Sequence, residues 1–388
     1  MTTLDGGERI VTERVRSVRS VALGIWIGAG SRDETAERAG ISHFIEHLLF
    51  KGSSRYSGVQ IAQVFDGLGG ELNAATAKEY TVLYARVLDA HLETALDVMS
   101  DMLLSPSFDP DELSAEREVV LEEIAMYEDS YHDKRYVGPN IVVAAAGNLD
   151  HEPLAHAVET RFSPLSRIPD AATGVRPVWV GESQPRSLFQ RKDTEQFHIA
   201  LGGLGVPRSD RRRFAASLLD SMLGGSASSR LFQEIRERRG MAYSVYTYAS
   251  QYADTGMVGV YLGTREDNLA ECIRIVADQF HLMGEGRFDP AELARAKENL
   301  KGRIMLSMES TSNRASRLGK SVLTDAELLS LDRICAEIDA VDADAIAALA
   351  RQLFAPERLS AACIGPSAER FSDAVSLLHP GLSGIKAA

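Results

Sequence analysis

The 388-residue sequence contains little cysteine: Cys272, Cys335 and Cys363 lie far apart and form no CxxC pair. This spacing supports neither a disulfide framework nor a cysteine-rich zinc site. No run of 18 apolar residues occurs, so we expect no transmembrane helix. The first residues, MTTLDGGERIVTERV, lack the apolar core of a signal peptide. Together these absences predict a cytoplasmic protein with reduced thiols.

Basic residues are also too few to balance the acidic ones. The chain has 42 Lys and Arg against 55 Asp and Glu, a formal net charge of −13. Sequence-independent binding to phosphate backbones needs basic patches, so we expect no nucleic-acid partner, and no membrane partner either. The charge is compatible with attraction of basic peptides. With 45% hydrophobic and 25% charged residues, the composition is that of a globular protein.

The second half of the chain repeats the order of elements in the first. A glycine-bounded strand, two helices, a Gly-Gly pair and a further strand can be traced near residues 19–88 and again near residues 197–263. The Gly-Gly pair follows the second helix in the first half and lies between the two helices in the second half. Several prolines and glycines between the halves mark a linker. The sequence therefore predicts an α+β protein of two homologous domains, each a mostly antiparallel sheet with helices packed on one side. The predicted bounds are residues 1–165, a linker over 166–187, and residues 188–388.

One short motif carries candidate chemistry. His43 and His47 are four residues apart in a helix predicted over 36–51, so both imidazoles lie on one face, where they can bind one Zn²⁺. Glu46 lies beside them and can accept a proton from an attacking water. This order, H-x-x-E-H, is a known inverted zinc motif. The alternative is a helix with two incidental histidines, and the five residues alone leave both interpretations open.

A third zinc ligand must come from elsewhere, because catalytic zinc sites usually have three protein ligands. The helix predicted over 110–128 offers Glu116 and Glu123, which are seven residues apart and therefore share a face. Glu118 and Glu122 point toward another face and are expected to be solvated. Without the histidine pair, this acidic helix would be interpreted as a charged surface.

With Glu123 placed 76 residues after His47, the sequence resembles the family of pitrilysin, insulin-degrading enzyme and mitochondrial processing peptidase, in particular its bacterial processing-peptidase-like members. The resemblance implies a zinc endopeptidase with a processing-peptidase-like metallohydrolase fold and one Zn²⁺ per chain. It further implies that His43, His47 and Glu123 bind zinc, that Glu46 is the general base, and that Glu116 supports the ligands without binding the ion. The segments that carry the resemblance in the first half are TLDGGERIVTERV, LGIWIGAGSRDE, GISHFIEHLLFKGS, LGGELNAATAKEYTVLYARVL and LSAEREVVLEEIAMYED.

The second half resembles the same family's substrate-binding domain in the segment GGSASSRLFQEIRERRGMAYSVY. The resemblance implies that Arg236 and Tyr243 contact the substrate; the alternative is a salt-bridged arginine and a core tyrosine. It also places Asn73 on an edge strand that pairs with an extended peptide, whereas a simple turn asparagine is the alternative. The second half lacks an HxxEH motif, so we expect it to be non-catalytic. Relatives of this length often pair, which predicts a homodimer.

One departure from the family pattern lies at residues 129–139. Relatives carry a longer helical stretch there, with a turn resembling His-Pro-Leu-Gly, which lines the cleft near the zinc helix. The shortening is expected to expose apolar surface and to loosen the pocket around the zinc helix. The motif and the resemblance predict a zinc endopeptidase acting on extended peptides or presequence-like segments. The alternative is a zinc-binding but catalytically weak scaffold or peptide-binding subunit. An enzyme of different chemistry on a related metallohydrolase fold is a third interpretation.

Overall fold

A computed structural model of the chain describes residues 1–108, 128–165 and 184–387, with the backbone alone at 128–130 and 385–387. The chain divides into two compact units, Met1–Pro177 with Ser307–Leu328, and Val178–Leu306 with Leu329–Ala388. The helix predicted over 110–128, with Glu116 and Glu123, lies outside the described residues except for its last position. So does most of the linker predicted over 166–187.

Each unit is built around a six-stranded sheet. The first sheet has the order β1-β2-β6-β3-β5-β4 and is antiparallel except where β2 runs parallel to β6. Its strands are β1 (Thr2–Thr3), β2 (Arg9–Arg14), β3 (Ser20–Ile27), β4 (Glu71–Thr76), β5 (Thr81–Leu88) and β6 (Ile141–Gly147).

The second sheet has the order β12-β7-β11-β8-β10-β9. From β7 onward this repeats the order of the first sheet from β2, including a parallel pair between β7 and β11. The repeated topology confirms the duplication predicted from the sequence. The strands are β7 (Ser187–Arg191), β8 (Phe197–Gly205), β9 (Ala242–Gln251), β10 (Gly256–Thr264), β11 (Ser360–Gly365) and β12 (Ile385–Ala387).

The described helices pack on these sheets and enclose a hydrophobic core in each unit. None of them is long and apolar enough to cross a membrane. In chain order they are α1 (Ile41–Leu49), α2 (Gly58–Leu68), α3 (Leu92–Leu104), α4 (Glu128–Arg135), α5 (His151–Phe162), α6 (Arg213–Leu223), α7 (Leu269–Gly284), α8 (Pro290–Ser307), α9 (Thr311–Leu323), α10 (Leu331–Asp339), α11 (Ala343–Leu353) and α12 (Ala368–Ser376). A six-residue π-helix spans Phe232–Glu237.

The predicted fold class is confirmed, and the structure adds a helix on the second face of the first sheet. Strands β3 and β6 alternate between two buried faces: Leu23 and Val143 join the main core, whereas Trp26 and Val142 pack with α9. The sequence placed α9 in the domain of residues 188–388, but Ser307–Leu328 belongs to the first unit. The physical reason is that β3 and β6 are apolar at nearly every position, so both of their faces must be covered.

Candidate metal centre

The residue before helix α1 has a backbone conformation that glycine adopts easily and residues with a side chain rarely adopt. Gly40 precedes the helix with a φ of 102°, in the left-handed region. The carboxylate of Glu34 accepts hydrogen bonds from the backbone N–H groups of Gly40, at 2.6 Å, and Ser42, at 2.9 Å. A carboxylate at a helix N-terminus satisfies N–H groups that have no partner within the helix. The start of α1 is thereby fixed.

The apolar stripe of α1 fixes which side chains stay accessible. Ile41, Ile45, Leu48 and Leu49 are buried in the core of the first unit. His43 and His47 are therefore left on the exposed side of the helix, one turn apart.

The two imidazoles are arranged as ligands of one ion would be. Their Nε2 atoms lie 3.1 Å apart and the rings are perpendicular. Two nitrogens each about 2 Å from a tetrahedral zinc ion lie about 3.3 Å apart, so the pair fits a shared Zn²⁺. The same distance also suits a hydrogen bond between the two rings. The donor atoms of His43, Glu46 and His47 all lie within 4.8 Å of one another.

Glu46 is less exposed than the two histidines and is anchored by a neighbouring strand. The hydroxyl of Thr76, the last residue of β4, donates a hydrogen bond of 2.5 Å to Oε2 of Glu46. A carboxylate beside two imidazoles can act as a general base, because it is an acceptor within reach of water held there.

Two of the predicted site residues cannot be placed. Glu123, the predicted third ligand, and Glu116, the predicted supporting acid, lie outside the described ranges. Their roles stay predictions.

The shortened segment after Glu128 packs directly against the zinc-motif helix. Tyr131 of α4 is buried, and its hydroxyl shares a hydrogen bond of 3.0 Å with Oγ of Ser42 in α1. Arg135 donates to the carbonyl oxygen of Asp33, at 3.3 Å. Burial raises the pKa of both Tyr131 and Tyr136, so the phenols stay protonated. These contacts hold α4 against α1 and the segment that precedes it.

Asn73 lies on β4, which among the described residues forms the edge of the first sheet. Its side chain is exposed, and its Oδ1 accepts a hydrogen bond from the next backbone N–H, at 2.8 Å. It also lines a surface cavity of about 570 Å³ together with Phe50, Phe65 and Tyr84. The strand position of Asn73 excludes the simple turn that was its alternative.

The structure brings Arg236 and Tyr243 together in the second unit. The guanidinium of Arg236, in the π-helix, lies 5.2 Å from the ring centre of Tyr243 and 4.8 Å from that of Phe232. Tyr243, at the start of β9, is 77% exposed. This exposure excludes the core tyrosine that was the alternative. The pair presents a cation and a phenol on one surface.

The chain belongs to the peptidase M16, or insulinase, family. Residues 9–152 match the family model described as "Insulinase (Peptidase family M16)", and residues 129–300 match "Peptidase M16 inactive domain". An uncharacterized zinc protease of Streptomyces coelicolor is 39% identical over 424 residues, covering 97% of this chain and 92% of the relative. The uncharacterized zinc protease YmxG of Bacillus subtilis is 39% identical over 405 residues, covering 94% of this chain and 98% of the relative. Membership confirms the resemblance and supports a zinc-dependent peptidase.

Solved structures share the fold. A protease from Helicobacter pylori superposes with a TM-score of 0.86 at 20% identity, covering 94% of this chain and 98% of that one. A structure described as a peptidase M16 inactive domain from Pseudomonas fluorescens gives a TM-score of 0.84, and the match covers 95% of this chain and 98% of that one. The aligned length of 424 with the Streptomyces relative exceeds all 388 residues of this chain. That relative therefore contains residues that this chain lacks within the matched region.

Proposed function

We propose that the chain is a zinc-dependent endopeptidase that cleaves extended peptides or presequence-like segments. The observation that carries the proposal is the exposed histidine pair, with Nε2 atoms 3.1 Å apart and a carboxylate beside them. The zinc-protease names of relatives at 39% identity support the same chemistry.

We assign the zinc ligands to His43, His47 and Glu123, with one ion per chain and with Glu116 supporting the site. When bound, zinc supplies Lewis-acid polarisation of a carbonyl oxygen and lowers the pKa of water. The catalytic residues then belong to the first of the two proposed domains, residues 1–165, and residues 188–388, apart from Ser307–Leu328, form the non-catalytic one.

Glu46 is the proposed general base. Its carboxylate takes one proton from the water whose oxygen attacks the scissile carbonyl carbon. The protonated side chain then gives that proton to the departing amine nitrogen as the C–N bond breaks, and Glu46 returns to its charged form. Atoms and charge balance with water as the only co-reactant.

The free edge of β4 supports recognition of an extended peptide. Strand addition to a sheet edge supplies backbone hydrogen bonds with little demand on sequence. We assign Asn73 to this contact and Arg236 and Tyr243 to substrate binding, where a cation and a phenol can stabilise negative charge on a carbonyl oxygen. The homodimer and the cytoplasmic location stay predictions.

A second candidate function follows from the shortened chain. An aligned length greater than the whole chain favours a missing stretch, which the sequence places at residues 129–139. In the family pattern the longer stretch lines the cleft near the zinc helix, so its loss removes part of the shell around the site and favours a zinc-binding but catalytically weak scaffold or peptide-binding subunit.

The experiment that separates the two is cleavage of a quenched fluorogenic peptide library by the purified chain. We expect cleavage that a chelator abolishes and that one equivalent of Zn²⁺ restores, because the catalytic site is incomplete without the ion. Zinc content is measured on the same samples by mass spectrometry. A chain that binds about one zinc but cleaves no peptide contradicts the peptidase proposal and favours the scaffold.

A further inference from the structure

We infer that Thr76 is a positioning residue for Glu46: its hydroxyl holds one carboxylate oxygen so that the other faces the reacting water. This inference rests on the proposed function, in which Glu46 is the general base. It assigns a role in the reaction to a residue that lies 30 positions away from Glu46 in the sequence and on a different element.

The contact is short and is made from a rigid strand position. Oγ1 of Thr76 lies 2.5 Å from Oε2 of Glu46, and 3.4 Å from the backbone carbonyl oxygen of Ser42. The carboxylate is the better acceptor, since hydrogen bonds to charged groups are shorter and stronger. Threonine is branched at Cβ, which restricts its χ1 rotation and so keeps the hydroxyl aimed.

The alternation along β4 places Thr76 on the inner side of the strand. Asn73 and Ala75 are exposed, whereas Ala74 is buried in the core that also contains Ile45 of α1. Successive side chains of a strand point to opposite faces, so Thr76 shares the face of Ala74. The strand that offers its free edge to a peptide therefore also holds the carboxylate of Glu46.

The positioning matters because a glutamate carboxylate is otherwise free to rotate. Its terminal torsion has broad preferences rather than sharp staggered wells. With Oε2 held by Thr76, the orientation of Oε1 is set, and within the described part of the chain Oε1 has no hydrogen-bond partner of its own. Proton transfer is sensitive to such placement: a misplacement of about 1 Å costs on the order of a hundredfold in rate.

The test compares Thr76→Val, which keeps the shape and removes the hydroxyl, with Thr76→Ser, which keeps the hydroxyl. We expect Thr76→Val to lower kcat by about tenfold or more, with KM and zinc content unchanged, because only the alignment of the base is lost. Thr76→Ser should recover most of the lost kcat. The matched control is Thr81→Val, directly opposite Thr76 in the neighbouring strand, because the Thr81 hydroxyl donates to the carbonyl of Ala29 instead.

A second measurement, of thermal stability, does not depend on peptidase activity. Melting temperatures of the metal-free protein are recorded for Thr76→Val, Glu46→Ala and the double variant. If the two side chains interact as the structure places them, the double variant loses less than the sum of the single losses.

The outcomes are distinguishable. A wild-type chain that cleaves nothing overturns the proposed function and, with it, the role of Thr76. An active wild type whose kcat is unchanged in Thr76→Val overturns the role of Thr76 alone. The inference also fails if Thr76→Ser is as slow as Thr76→Val, or if the stability changes of Thr76→Val and Glu46→Ala simply add.

Discussion

At the scale of single residues, the chemistry depends on three side chains within one nine-residue helix. His43 and His47 are kept exposed because the apolar positions of α1 are committed to the core. Their 3.1 Å separation can be a hydrogen bond or a shared ion. The zinc-protease names of relatives favour the interpretation as a shared zinc ion. The carboxylate of Glu46 beside the pair is the group that a zinc-dependent hydrolysis would need as a base.

The third ligand is tested by comparing two neighbouring glutamates. Glu123→Gln should lower zinc content well below one ion per chain, because a neutral amide replaces a charged oxygen ligand. The matched control is Glu122→Gln, which makes the same chemical change one residue earlier and should leave zinc content as in the wild type. Both are measured by mass spectrometry after dialysis against a weak chelator. Equal zinc loss in both variants, or none in either, would remove Glu123 from the ligand set.

The residues of the motif can be predicted from sequence, whereas their supports cannot. Helical spacing alone places His43 and His47 on one face. The contacts from Thr76 and Tyr131 depend on where β4 and α4 lie relative to α1, which no local pattern specifies. One signal was available for Thr76: strand alternation puts it on the same face as the buried Ala74.

At the scale of elements, α9 shows the limit of reasoning along the chain. Strand β6 is buried at every position of Ile141–Gly147. A strand buried on both faces needs a cover on each. The second cover is α9, which follows β6 by more than 160 residues, so its place could not be read from neighbouring sequence.

The packing of α9 is tested at Gly319. A Cβ at this position would lie 2.5 Å from the indole of Trp26, which is 2% exposed and cannot move freely. We expect Gly319→Ala to lower the free energy of unfolding by about 1–3 kcal/mol, as overpacked cores do. The matched control is Gly302→Ala in the exposed middle of α8, where a Cβ meets nothing within 4 Å.

The control is expected to change stability in the opposite direction. Alanine is favoured over glycine in a helix interior by up to about 1 kcal/mol, so Gly302→Ala should be neutral or stabilising. Chemical denaturation of both variants supplies the measurement. A Gly319→Ala variant as stable as the wild type would mean that α9 does not lie tightly against Trp26.

At the scale of the whole molecule, the duplication visible in the sequence reappears as two sheets with the same strand order. The net charge of −13 is a property of the whole chain and locates no binding surface. The shortening at 129–139 was expected to disturb the surroundings of the zinc helix. Instead Tyr131 and Tyr136 are buried in the first core, so the shorter connection is itself well packed.

The most direct test of the account compares the wild type with Glu46→Gln at equal zinc content. The substitution keeps the size of the side chain but replaces the carboxylate with an amide that cannot accept a proton, while both histidines remain available to the ion. The account predicts that zinc binding is retained and that kcat for a cleaved peptide falls by about a hundredfold or more. Cleavage by Glu46→Gln at the wild-type rate, with the same zinc content, would contradict it.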